Sequence, residues 1–247
     1  MDLYAFPPIA AILDAASSAL MWLTALLEPL AGSAAAASAV ILLTLLVRAA
    51  LIPAGIAQAK AEQARSRLAP RLRDLQQRHR RNPERLQRET MRLYADEKVS
   101  PFAGCLPMLA QAPVVAVVYA LFLHSSIAGH ANALLAEHLL GVPLGASAVG
   151  VVATGAATGS ALAVFGAVIA VIVVVAELTR RAFRPPVGAD AAPLGGAMLR
   201  LAGALQFTTA VFALFVPLAA ALYLATTVAW TLVQRLVLRR VYPPVAG

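Results

Sequence analysis

The side chain best placed to do chemistry is Arg48, which stands inside the apolar run ILLTLLVRAALIPAG (residues 41–55). Residues 34–57 are apolar or small except for Ser38, Thr44 and Arg48. At about 1.5 Å per helical residue such a segment crosses a hydrocarbon core of about 30 Å. Counted back from Gln58, Arg48 lies roughly 15 Å deep. A charge at that depth costs on the order of 2.5–3.5 kcal/mol, so it faces water or a partner inside the protein. Thr44 sits one turn earlier on the same helix face. Its hydroxyl either bonds water or a substrate, or returns its proton to its own helix.

This is the chemistry of attracting an anion, without a covalent step. The sequence holds no G-x-S-x-G, H-E-x-x-H or P-loop pattern and no paired membrane acids for a proton relay. His124, His130 and His138 lack a spacing that specifies a metal. The single cysteine, Cys105, excludes an internal disulfide and any multi-cysteine metal site. Neither enzymatic activity nor a metal or other cofactor is expected.

The elements that must position Arg48 follow from composition. Of 247 residues, 60% are hydrophobic and only 13% charged, with a mean hydropathy of +0.77, which places the chain among all-α polytopic membrane proteins. Five transmembrane helices are predicted, at 34–57, 106–124, 158–179, 201–216 and 217–237, the last two separated at Pro217. Between them fall a cytoplasmic helical hairpin (58–105), an outer loop (125–157) and a cytoplasmic loop (180–200), with a cytoplasmic tail at 238–247. Apart from Arg48, the twenty Lys and Arg residues lie at 60–98, 180–200 and 235–240, so the segments assigned to the outside carry none. The positive-inside rule then puts the amino terminus outside and the carboxyl terminus in the cytoplasm.

Residues 1–33 form an outer segment. Within it Leu13, Ala16, Leu20, Leu23 and Leu27 share one helical face, whereas Asp14, Ser17, Ser18 and Glu28 cluster elsewhere. That pattern suits an interfacial helix. A sixth span with the amino terminus inside fits the charges as well.

In the hairpin, Leu68, Leu72 and Leu75 make one apolar stripe and Leu86, Thr90 and Leu93 a second. Asn82 followed by Pro83 reads as an N-cap and first-turn pair, and Pro70 is expected to kink or interrupt the first arm. Arg71, Arg73, Arg78, Arg80, Arg81 and Arg85 are either a solvated basic face or a docking surface for a ribosome, an acidic chain or lipid headgroups.

After the hairpin the chain continues MRLYADEKVSPFAGCLPMLAQAP. This resembles the YidC/Oxa/Alb membrane protein insertases, in which a helix ending in Met-x-Leu-Tyr precedes a Pro-x-x-Gly-Cys-Leu-Pro-x-Leu-x-Gln-x-Pro motif. Here that motif is Pro101, Gly104, Cys105, Leu106, Pro107, Leu109, Gln111 and Pro113. LLVRAALIP, LAPRLRDLQ and LLGVPLG are similar to further family segments. The chain departs from the family at Leu205-Gln206 and at the Val216-Pro217-Leu218-Ala219 turn.

The resemblance implies a hydrophilic groove, open to the cytoplasm and closed toward the outside, with Arg48 in it. It implies an insertase of a bacterial plasma (inner) membrane that captures short acidic translocated segments. Thr44, Gln111, Tyr223 and Gln206 are the other polar groups placed to line such a groove. The implied partners are nascent membrane proteins and the lipid bilayer, with the ribosome and the Sec translocon as further candidates, and no specific nucleic acid or metal. The alternatives from the residues alone are a small transporter or channel component, or an assembly partner without insertion activity.

Overall fold

A computed structural model describes residues 7–97, 99, 116–124, 126–127, 130–183, 204–205 and 207–243. Among them helix predominates, and the strands form two short antiparallel hairpins, Ser126–Ile127 with His130–Ala131 and His138–Leu139 with Val142–Pro143. Six long helices carry the architecture: α1 (Pro7–Ala31), α2 (Ala35–Ala50), α3 (Ile52–Arg78), α4 (Pro83–Asp96), α5 (Gly159–Ala182) and α6 (Leu218–Val241). Three helical runs are long and apolar enough to cross a membrane: Ala11–Ala50, Gly159–Ala182 and Leu218–Val241. The predicted spans 106–124 and 201–216 lie partly outside the described residues. Helix is present there at 116–123 and at Thr208–Ala213. The chain divides into two compact units, one of Met1–Arg48 with Val114–Leu232, the other of Ala49–Pro113 with Val233–Gly247.

The larger unit holds the main apolar core. Its helices bury small residues: Ala35, Ala36, Ala37 and Ala39 on α2, and Ala219, Ala220 and Ala221 on α6. Small side chains let helix backbones approach where hydrocarbon outside offers no hydrophobic gain. α1 joins the same core through Leu13 and Leu20. Its other sides separate cleanly, since Ile12, Trp22, Leu26 and Leu30 are exposed on one flank and Asp14, Ser18 and Glu28 on another. A 3-10 turn at Gly32–Ala34, with Gly32 at φ +51°, separates α1 from α2. α5 starts at an N-cap, Thr158, whose hydroxyl accepts from the Ala161 amide at 3.2 Å.

One end of this unit is closed by backbone pairing. The start of α6 leaves amides that no residue of its own helix can satisfy. The Leu218 and Ala219 amides instead donate to the carbonyls of Ala146 (2.8 Å) and Leu144 (3.0 Å), and the Val149 amide donates to Leu214 (3.0 Å). Pro217, which has no amide to give, sits opposite Ser147 in the same ladder. Val142, Leu144, Val216 and Leu218 are buried beneath it. Gly145 is required in this segment, because a Cβ there would come within 2.9 Å of the Leu135 carbonyl oxygen. The hairpin leading in turns through Leu140 (φ 51°) and Gly141 (φ 81°), the positive values that a two-residue primed turn needs.

In the smaller unit, α3 is one unbroken helix of 27 residues that runs through Pro70. A proline removes one helix hydrogen bond, but most of α3 is exposed, so the freed carbonyl is not stranded in an apolar interior. The expected interruption at Pro70 is therefore absent. α2 and α3 are instead separated at Leu51, two residues before Pro53, which occupies the first turn of α3. Asn82 caps α4 as expected, its Oδ1 accepting from the Arg85 amide at 3.0 Å. Leu68 is buried, and Leu72, Leu75, Leu86, Thr90 and Leu93 are half-buried, so both apolar stripes lie on the covered sides of α3 and α4.

Asn132 ties a helix end from outside the helix. Its Nδ2 donates to the carbonyls of Leu121 (2.7 Å) and His124 (3.0 Å), at the end of the 116–123 helix. Asn132→Ala removes both bonds, the one to Leu121 buried, which costs about 2 kcal/mol. The unfolding midpoint of the detergent-solubilised chain is expected to fall by roughly 4–8 °C, and an unchanged midpoint would show that the cap carries no load.

Candidate functional site

Burial along α2 changes abruptly. Ala35, Ala36, Ala37, Ala39, Val40 and Thr44 are buried, and beyond Thr44 no residue of α2 is. Arg48 stands one turn past that limit, in the last turn of the helix, and is half-buried. A cation in the last turn of a helix also complements the partial negative charge of its carbonyl end. α6 shows the same gradient: Leu218 to Leu222 and Ala225 are buried, and only Leu232 after them. Both helices are thus packed in their first half and open in their second.

Thr44 is 5% exposed, and its hydroxyl donates to the Val40 carbonyl at 2.7 Å. The proton is used within the helix, and only the oxygen's lone pairs remain for another group. Thr24, Thr179, Thr226 and Thr231 return their protons to the carbonyl four residues back in the same way. Tyr223 is half-buried in α6, its ring centroid 6.0 Å from that of Phe122 at a tilt of 45°. Gln111, Gln206 and Cys105, with the whole run from Pro101 to Pro113, lie outside the described residues.

The hairpin arginines fall into two groups. Arg71 pairs with Glu97, and Arg78 pairs with Asp74 at 2.8 Å, one turn back on α3. Arg73, Arg80, Arg81 and Arg85 are exposed and form no ion pair among the described residues. Their charge remains available to an anionic surface. Glu177 at the end of α5 is held by Arg180 (2.7 Å) and Arg181 (2.6 Å) within one helix end, which leaves a net charge of +1 there.

Two buried polar atoms escaped the sequence reading. Asn132 Oδ1 and Thr227 Oγ1 have no hydrogen-bond partner among the described residues. Thr227 was legible only as the second half of a Thr-Thr pair, and nothing local separates it from Thr226, which bonds the Leu222 carbonyl at 2.8 Å. A cavity of about 480 Å³ beside α5 is lined by Val149, Val152, Leu162, Phe165, Ile169 and other apolar residues. It offers nothing to a hydrophilic segment. Among the described residues no group of three His, Cys, Asp or Glu side chains comes together to hold a metal ion.

Comparison with known proteins adds to this geometry. The family described as 60Kd inner membrane protein matches residues 27–244. The membrane protein insertase YidC of Clostridium perfringens (strain 13 / Type A) is 41% identical over 83 residues, 34% of this chain and 35% of that protein. The chloroplastic inner membrane protein PPF-1 of Pisum sativum is 41% identical over 106 residues, 42% of this chain and 23% of its own length. The chloroplastic inner membrane protein ALBINO3 of Arabidopsis thaliana is 47% identical over 76 residues, 31% of this chain and 16% of its own. The similarity thus spans about a third or less of each relative.

Because the Thr44 proton is already spent on Val40, Thr44→Val replaces that hydroxyl with a methyl of the same shape. The unfolding midpoint is expected to move by no more than about 2–4 °C, corresponding to about 1 kcal/mol. A loss several times larger would mean that the hydroxyl has a partner beyond its own helix.

Proposed function

The chain belongs to the 60Kd inner membrane protein family, that of the YidC/Oxa/Alb proteins, and from that premise we propose that it is a membrane protein insertase. Its client is a chain whose translocated segment is short and acidic. Arg48 attracts that segment into a groove between the spans, which shortens the apolar distance the segment must cross. The client's hydrophobic part leaves sideways into lipid. No nucleotide, metal or covalent intermediate takes part.

The observation that carries this reading is the packing gradient on α2 and α6. With the amino terminus outside, as the charge distribution argues, both helices start at the outer face. Their buried first halves then form a closed outer layer, and the open second halves, beyond Thr44 and Ala225, face a groove that admits water from the cytoplasm. Arg48 sits where the two regions meet. Water in the groove lowers the cost of placing its charge near the midplane. At 4–6 Å and an effective dielectric near 20, it would attract a carboxylate by roughly 3–4 kcal/mol.

The remaining site residues take secondary roles. Tyr223 and Gln206 on the later spans and Gln111 on the second span line the groove, and Thr44 marks its dry end. α1 lies along the outer interface, with Leu13 and Leu20 against the core, Trp22 and Leu26 toward the acyl chains, and Asp14 and Glu28 toward water. The arginines at the hairpin tip, from Arg73 to Arg85, dock an anionic surface, whether of a ribosome or of lipid headgroups.

The test compares wild type with Arg48→Ala and Arg48→Lys for insertion of a single-span reporter carrying a short acidic outer tail, in liposomes without nucleotide. Losing an attraction of this size lowers insertion by at least about tenfold in the Ala variant, and Lys, which keeps the charge, retains most of it. Insertion by Arg48→Ala at the wild-type rate would sink the role given to this residue.

A further inference from the structure

The smaller unit contains a set of contacts that the insertase reading leaves unused. The end of α6 runs alongside the start of α3, joining parts of the chain 180 residues apart. Four contacts join the start of α3 to the end of α6 and the two residues that follow it. Gly55 faces Gln234, so closely that a Cβ would meet the Gln234 side-chain amide. Glu62 and Arg239 approach to 3.6 Å. Lys60 Nζ stands 5.7 Å from the centre of the Tyr242 ring. Gln63 Nε2 donates to the Pro243 carbonyl at 3.0 Å. Gly55–Gln234 and Gln63–Pro243, the first and last of these along the chain, show that the two segments run parallel here.

We propose that residues 234–243 form a strap that holds the first three turns of α3, and that Glu62, Lys60, Arg239 and Tyr242 are positioning residues for the two-helix element that α3 and α4 make. The place of the strap follows from the break at Leu51. Because α2 ends at Ala50 and α3 starts afresh at Ile52, the first turns of α3 are not a continuation of the helix before them, and residues 234–243 lie against those turns.

The contacts are of a kind that holds reversibly. Glu62 and Arg239 are 61% and 41% exposed, and an exposed ion pair shifts an equilibrium by no more than about fivefold. A cation–π contact at an exposed site is worth a similar factor. A full set of such contacts favours the strapped state by roughly ten- to a hundredfold, which leaves a released minor state of about 1–10%. The strap is thus strong enough to hold the start of α3 at rest and weak enough to let go. This deepens the insertase reading and rests on it for its purpose, since the element so held carries the hairpin arginines given a docking role above.

The experiment uses the full chain in liposomes in a Cys105→Ser background, with spin labels on cysteines placed at two exposed positions, Gln58 and Leu236. Wild type gives one short, narrow distance. Glu62→Arg or Arg239→Glu alone raises a longer-distance population by roughly three- to tenfold and slows reporter insertion. The charge swap Glu62→Arg with Arg239→Glu restores both. The milder Glu62→Gln gives the same trend if a reversal disturbs folding. Single reversals that leave the distance unchanged, or a swap that fails to recover it, overturn the strap. The distance readout separates this from the role of Arg48: Arg48→Ala blocks insertion with the short distance intact, and a chain that inserts nothing still reports whether the strap is there.

Discussion

A backbone amide or carbonyl in hydrocarbon has no water to pair with, and this one constraint organises the rest of the molecule. Along the spans it is met within each helix. It becomes difficult where a helix begins inside the protein, and the start of α6 is such a place. There the carbonyls of Leu144 and Ala146 accept the amides of Ala219 and Leu218, so a loop supplies what another helix turn cannot. The sequence of that loop follows from the task. Gly145 lets its backbone pass against Leu135, and Val142 and Leu144 fill the space beneath. Pro217 is tolerated because it comes one residue before an amide is needed.

Once one end of the unit is closed in this way, packing there is tight and side chains are small. The price of close helix approach is that the same helix cannot stay close along its full length when later positions carry Leu46 and Arg48. On α2 and α6 the first halves bury a run of small residues and the second halves bury few. A guanidinium has five donors to satisfy wherever it sits, and Arg48 stands on the less buried part of α2. Its position one turn past Thr44 puts it at the first level where the helix is not sealed.

What was legible in the sequence was local. Asn82-Pro83 announced a cap, and the cap is there because both its partners lie within four residues. Pro217 marked a helix boundary, since a proline at N-terminal edge positions needs no long-range information to interpret. The leucine stripes on α3 and α4 follow from helical periodicity alone. Pro70 does not interrupt its helix, because an exposed helix leaves the freed carbonyl open to water. Asn132 was silent in the sequence. Its bonds reach back 8 and 11 residues to a helix end, and no spacing rule connects an asparagine to carbonyls that only the folded chain brings near. At the site, Arg48 stood out because its cost in hydrocarbon is large wherever it sits. Thr44 did not separate from its alternatives, since a hydroxyl four residues from its own carbonyl acceptor fits both readings equally well.

The strengths of these interactions bear on how such a site can work repeatedly. A site that captured an acidic segment with many cations would hold it, and a client that stays bound is not inserted. One arginine in a partly hydrated setting gives an attraction of a few kcal/mol, comparable to the cost of bringing a short polar segment partway into a thinned apolar layer. The two nearly cancel, so the outcome is decided by the client's own hydrophobic segment, whose transfer to lipid releases about 0.8 kcal/mol per buried CH₂ group. On this argument the proposed groove lowers a barrier and supplies little net driving force. That is also why the surrounding polar groups can be few and individually weak. Their task is to keep water beside Arg48, and a protein that bound its clients more tightly through them would turn over more slowly.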